Sequence, residues 1–183
     1  MNATSAEYDE EHLRRLRLVR AMIQVGEVPV ATVREVLGHV DDDGLGRTIR
    51  LGAALWALPQ VPEPDQDDEH VRAARQEVAA PLDRLGRRNS EQLTTLSPAY
   101  RSLVVAVAAF RRLGYDWGAE LLAPYAELMH RTAVLDLDNM ERYPSQAERV
   151  EFAVLGAILD EPVLRALHRP AQEEESARRY GFE

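Results

Sequence analysis

Apolar residues recur at helical spacing through most of this chain. Leu13, Leu16, Val19, Met22 and Ile23 form one stripe behind Asp9, a good N-cap residue, while Arg14, Arg15, Arg17 and Arg20 fall mostly on the other side. Gly26 tolerates the left-handed conformation of a C-cap and is expected to stop this helix. Pro29 suits the first turn of a second helix with Val30, Val33, Leu37 and Val40 on one face. Two short amphipathic helices joined by a tight turn are by themselves a packing unit more often than a DNA reader.

The pattern continues with Asp41 to Asp43 and Gly44 as a break, then a helix from about Leu45 to Leu58 carrying Ile49, Leu55 and Trp56 and ended by Pro59. Its glycines, Gly46 and Gly52, are costly in a helix interior. Pro59, Pro62 and Pro64 among acidic and amide residues read as an extended linker over 59–68. Beyond it, Val71, Ala74, Val78, Leu82 and Leu85 mark a helix ending at Gly86, with Pro81 expected to kink or split it. Ser97-Pro98 opens an apolar helix through Leu103, Val104, Val107 and Phe110 to Gly114. Asp116 is placed to cap a long helix bearing Leu121, Tyr125, Leu128, Thr132 and Leu135. Ser145 and Glu148 form a capping box before Val150, Val154 and Ile158, and Asp160-Glu161-Pro162 is expected to restart the chain into a last helix. No alternating strand pattern and no internal repeat is visible, so the expected fold class is all-α.

Composition narrows the function classes. The chain has 183 residues, 45% of them apolar, without an apolar run long enough for a membrane span or a signal peptide. A cytoplasmic protein without membrane association is expected. With no cysteine, disulfides and thiolate metal sites are excluded. The net charge of −9 opposes non-specific DNA binding, which depends on basic side chains displacing counterions from phosphates. Even residues 1–40 set Glu7, Asp9, Glu10, Glu11, Glu27 and Glu35 against Arg14, Arg15, Arg17, Arg20 and Arg34.

The order of residue types adds a resemblance. Tyr8-Asp9-Glu10-Glu11, then Leu13 to Arg20, then Gly26 and Val33-Arg34-Glu35-Val36-Leu37, closely resembles the third and fourth helices of the MerR family of bacterial transcription regulators. In that family a helix-turn-helix enters the major groove, a two-stranded wing follows, and this helical pair braces the wing. The resemblance implies DNA-backbone contacts for Tyr8, Arg14 and Arg15, whose plainer reading is a packed tyrosine and two solvated arginines. Asn2 to Glu7 leave room for only the last strand of a wing, so the reading helices are expected to be absent and promoter DNA to be a partner only in a full-length context. The family's long dimerisation helix is matched only by the short one at 45–58. A homodimer is nevertheless expected, because the apolar face of the helical pair needs cover from the C-terminal domain or from a second copy. The remainder, closing on Ser176 to Gly181, looks like the helical effector domain attached to one group of these regulators. The organisation expected is thus a partial MerR-type DNA-binding domain over 1–58, the linker over 59–68, and an effector-binding or oligomerisation domain over 69–183.

Catalytic constellations are missing. There is no Gly-x-Ser-x-Gly, no His-Glu-x-x-His and no phosphate loop, so no catalytic residue, no cofactor and no enzyme activity is expected. Asp136, Asp138 and Asn139 lack the glycine turn and terminal glutamate of a calcium loop, and no metal site is assigned. The best candidate for binding a small apolar or aromatic effector is Trp117, Tyr125, Met129 and His130, which could line one wall of an interhelical pocket. Core packing with a surface histidine is the plainer reading. The leading function is effector-sensing transcription regulation of MerR type; the alternative is a stand-alone drug-binding protein, or a partner that poisons a full-length relative.

Overall fold

The chain folds as expected into an all-α protein, but the first helix buries Leu18 and Met22 and leaves Leu13, Leu16 and Ile23 of the expected stripe exposed. The computed structural model describes residues 10–85 and 97–181, and among these residues there are seven helices and no strand. They are α1 (Glu10–Gln24), α2 (Val30–Asp41), α3 (Arg47–Trp56), α4 (Glu69–Arg84), α5 (Pro98–Arg112), α6 (Ala119–Glu141) and α7 (Gln146–Tyr180). Tyr8, the cap expected at Asp9 and the helix end expected at Gly86 lie outside the described residues. No described helix is long and apolar enough to cross a membrane.

The helices group into two units, one of residues 1–58 with 143–183, the other of residues 59–142. This differs from the expectation that everything after residue 68 forms one domain. The reason is in the first unit's core. Leu18 and Met22 of α1 and Val33, Val36 and Val40 of α2 are buried with Val150, Val154 and Ile158 of α7, and Val19 and Leu37 pack at the edge. The apolar face of the helical pair is therefore covered by the last helix of the same chain.

Two local devices fix this unit. Gly26 follows α1, but the left-handed residue is Glu27, with φ of 51°. A side chain at Gly26 would meet Ile158 Cγ2 and the Met22 carbonyl at 3.0 Å each, so this glycine serves close approach of α7 instead of a left-handed cap. Arg50 of α3 is buried, and its guanidinium donates through Nε to the Val40 carbonyl at 2.8 Å and through Nη1 to Asp43 at 2.8 Å. A cation on the last carbonyls of α2 satisfies acceptors that the helix itself leaves open.

Helix ends differ from the sequence reading in instructive ways. The capping box holds: Glu148 N–H donates to Ser145 Oγ at 3.2 Å, and Ser145 N–H to Glu148 Oε2 at 3.1 Å. No restart occurs at Pro162; α7 runs through both Pro162 and Pro170. A proline deletes one ladder bond and crowds one carbonyl, and here neither loss breaks the helix. Pro81 likewise sits inside an unbroken α4. Gly46 is the N-cap of α3, outside its interior.

In the second unit, Val71, Ala74, Val78 and Leu82 of α4 are buried against Val104, Val107 and Ala108 of α5 and Leu122 of α6. Asp68, read as part of the linker, caps α4 by accepting from the N–H groups of His70 at 2.7 Å and Val71 at 3.3 Å. It also takes a 2.5 Å hydrogen bond from Arg112, which with the two backbone donors holds its carboxyl below the ordinary range. Asp116 does not cap α6. That helix begins at Ala119, whose N–H donates to Glu77 of α4 at 2.8 Å, so the anion at its N-terminus comes from a neighbouring helix.

Candidate functional site

The described helices of the second unit, α4, α5 and α6, leave an apolar cavity of about 400 Å³ between them. Val78, Pro81 and Leu82 of α4 form one wall, Tyr100 and Leu103 of α5 another, and α6 supplies Leu122, Tyr125, Ala126, Met129, His130 and Ala133. Trp117, in the turn between α5 and α6, closes the end. The four residues singled out from the sequence therefore come together on one cavity. Tyr125 and Met129, about half exposed, stand at its mouth, and His130 is exposed.

The turn geometry explains how Trp117 reaches them. Gly114 adopts φ of 81°, and the Tyr115 N–H returns to the Phe110 carbonyl at 3.0 Å, which folds the chain back over the end of α5. Trp117 then stacks on Phe110, with ring centroids 5.0 Å apart and planes at 23°, and on Tyr125, at 5.4 Å and 28°. The three-ring ladder so formed is apolar on its faces, with an indole N–H and a phenol at its edges. Tyr100, partly buried in the wall, has its hydroxyl pushed up by burial, with Arg75 pulling weakly the other way. A volume of this size, mostly apolar with a few polar groups, is suited to a small apolar or aromatic molecule. Tyr100 and Leu103 were not singled out from the sequence, although their i, i+3 spacing just inside α5 is the signal of an inward face.

The arginines expected at DNA phosphates lie in the first unit, and both are engaged. Arg14 Nε donates to Glu151 at 2.6 Å and Arg14 Nη1 to Glu148 at 2.9 Å. Arg15 Nη1 is 3.2 Å from the other Glu151 oxygen, and Arg15 Nη2 pairs with Asp41. The hydrogen bond to Glu151 holds the Arg14 guanidinium still more firmly protonated. Both arginines retain partial exposure, at 32% and 25% of the side chain, whereas Glu151 is 3% exposed. Glu151 was also missed in the sequence, where its signal was a lone carboxylate between Val150 and Phe152 on an otherwise apolar stretch. Among the described residues no three His, Asp or Glu side chains gather in a metal-binding group.

The crystal structure of a proposed transcriptional regulator from Streptomyces coelicolor A3(2) matches this chain with 70% identity and a TM-score of 0.84, over 96% of this chain and 85% of that one. The chain belongs to the family of that Streptomyces protein. No family model matches it, and a comparison with curated proteins gives no match. Identity this high over nearly the whole chain makes the two folds equivalent, the cavity-bearing helices included in the matched length.

Proposed function

We propose that this chain serves transcription regulation of MerR type, with α1 and α2 as the bracing pair of a DNA-binding domain and the second unit as its effector sensor. The similarity to the Streptomyces regulator supports the regulatory role. The observation that carries the sensor role is the cavity itself, where Trp117, Tyr125, Met129 and His130 share one lining with apolar residues of all three helices. The ligand is a small apolar or aromatic molecule that stacks against the Trp117 ladder, and the protein works in the cytoplasm without enzymatic activity. Regulation would proceed by changing how the DNA is held and distorted, since the chain's net charge of −9 offers little direct attraction.

A screen of hydrophobic antibiotics, dyes and aromatic metabolites by thermal shift tests the sensor. A true ligand at a hundredfold excess over its dissociation constant adds ~2.7 kcal/mol to folded-state stability. It should also quench Trp117 emission, an effect lost in Trp117→Phe and retained in Trp56→Phe. A screen without any shift, or quenching that survives Trp117→Phe, removes the sensor role from this cavity.

The engagement of Arg14 and Arg15 by Glu148, Glu151 and Asp41 favours a second reading, a stand-alone binding protein that sequesters the ligand or pairs with a full-length relative. Under that reading the cavity binds its ligand while duplex DNA is ignored with and without it. Sequence-selective, submicromolar mobility shifts by this chain at moderate salt would reject it.

A further inference from the structure

The cavity of the second unit is poor in groups that could neutralise a charged ligand. Among the described residues that line it there is no carboxylate and no guanidinium. Glu77, the carboxylate that reaches the turn bearing Trp117, is already committed: its Oε2 accepts from the Ala119 N–H at 2.8 Å, and its Oε1 lies 3.8 Å from Arg111 Nη1. Cation–π attraction has less to work with, since Trp117 already gives ring face to both Phe110 and Tyr125. An ion entering so apolar a site loses its hydration without gaining a partner.

The polar groups on the lining are mostly donors. Trp117 offers an indole N–H, which cannot accept, and Tyr100 and Tyr125 offer phenols. Tyr125 and His130 stand at the mouth, half exposed and exposed, where water serves their polar ends as well as a ligand would. Tyr100 is different. It is partly buried in the α5 wall, and its hydroxyl is governed by burial and by the nearby charge of Arg75, with no hydrogen bond to it among the described residues. Arg75 itself has a buried Nε without a hydrogen-bond partner, and its guanidinium adds positive potential beside the phenol. That potential strengthens the hydroxyl as a donor, favours an electron-rich oxygen in front of it and repels a cation.

We propose that the cavity selects an uncharged, planar aromatic carbonyl compound, whose oxygen accepts the hydrogen bond that Tyr100 donates while its rings lie among the apolar lining residues. The inference rests on the sensor reading of the same cavity and narrows it to one ligand class, with Tyr100 as the residue that sets specificity. A hydrocarbon of the same shape leaves the Tyr100 hydroxyl covered and unpaired, and an organic cation meets Arg75 with no carboxylate on the lining to offset it.

Fluorenone, fluorene and N-methylacridinium are planar three-ring probes that differ in the group at issue: a carbonyl, none, and a fixed positive charge. Equilibrium dialysis of the full chain near neutral pH, at salt high enough to screen its net charge of −9, should give fluorenone an affinity about tenfold above either of the others. Tyr100→Phe should lower fluorenone affinity about fivefold and leave fluorene binding unchanged or tighter, a split that lost packing alone does not produce. Equal affinities for fluorenone and fluorene, a preference for N-methylacridinium, fluorenone binding indifferent to Tyr100→Phe, or a loss shared equally by fluorene overturns the carbonyl selectivity and leaves the sensor reading in place. If none of the three binds, the selectivity falls as well, and the thermal-shift screen then decides the sensor reading by itself.

Discussion

Glu151 joins two arginines of the first unit at one buried carboxylate. Its carboxylate is 3% exposed and faces guanidinium groups of both Arg14 and Arg15, across sequence separations of more than a hundred residues. A buried charge with one partner removed is expensive, whereas the same charge with two cations is compensated. Glu151→Gln keeps the shape but removes the charge, and it should lower unfolding free energy by roughly 2 kcal/mol in urea denaturation. Partial exposure of the arginines lets water take over some of the lost pairing, which keeps the loss at the lower end. A Glu151→Gln protein as stable as the parent would mean that the triad contributes nothing net. Two further carboxylates link stability to pH. Glu148, held below the ordinary range first by Ser145 Oγ and its N–H and then by Arg14, and Asp68, held there first by Arg112, both have folded values depressed below their unfolded ones. Their stabilisation is present above the unfolded value and is lost as pH falls through the folded one, so an acid limb should open below about pH 4. In Ser145→Ala the Glu148 carboxyl should titrate closer to its unfolded value by carbon-detected NMR; an unmoved titration would deny the capping box this role.

At the scale of the helix, what the sequence revealed was local. The Ser145 capping box could be read because donor and acceptor lie three residues apart and need no neighbour. The gathering of Tyr125, Met129 and His130 could be read because they share one helix, and Trp117 joins them through a turn marked by Gly114. The cap of α6 could not, since Glu77 reaches Ala119 from a separate helix. Nor could the continuity of α7, because Asp160-Glu161-Pro162 has the composition of a helix start, yet the helix runs on through it along an exposed stretch. The sign of one substitution separates the two geometries. If Pro162 opened a helix, alanine there would be neutral or costly; inside a continuous helix, Pro162→Ala should raise stability by roughly 1–3 kcal/mol. Thermal or chemical denaturation reads the sign directly.

At the scale of the whole molecule, the least legible feature was the assignment of the last helix. Apolar stripes tell that a helix must be covered and leave open by what. The first unit is consequently assembled from two distant stretches, and the second is inserted between them as one uninterrupted stretch. Residues 59–142 excised alone should therefore retain helical content and a cooperative melt, and a fragment without either would show that the insert depends on its host.

The same topology imposes an order in time. During synthesis α1, α2 and α3 leave the ribosome long before Val150, Val154 and Ile158 exist, so Leu18, Met22 and Val36 wait with their apolar surface uncovered while the inserted unit emerges and folds. The first unit then closes across the longest loop in the chain, the slowest kind of contact to make. Chains stalled or truncated before α7 would hold a finished second unit and an unfinished first one. They are the molecules that chaperones and proteases should recognise first.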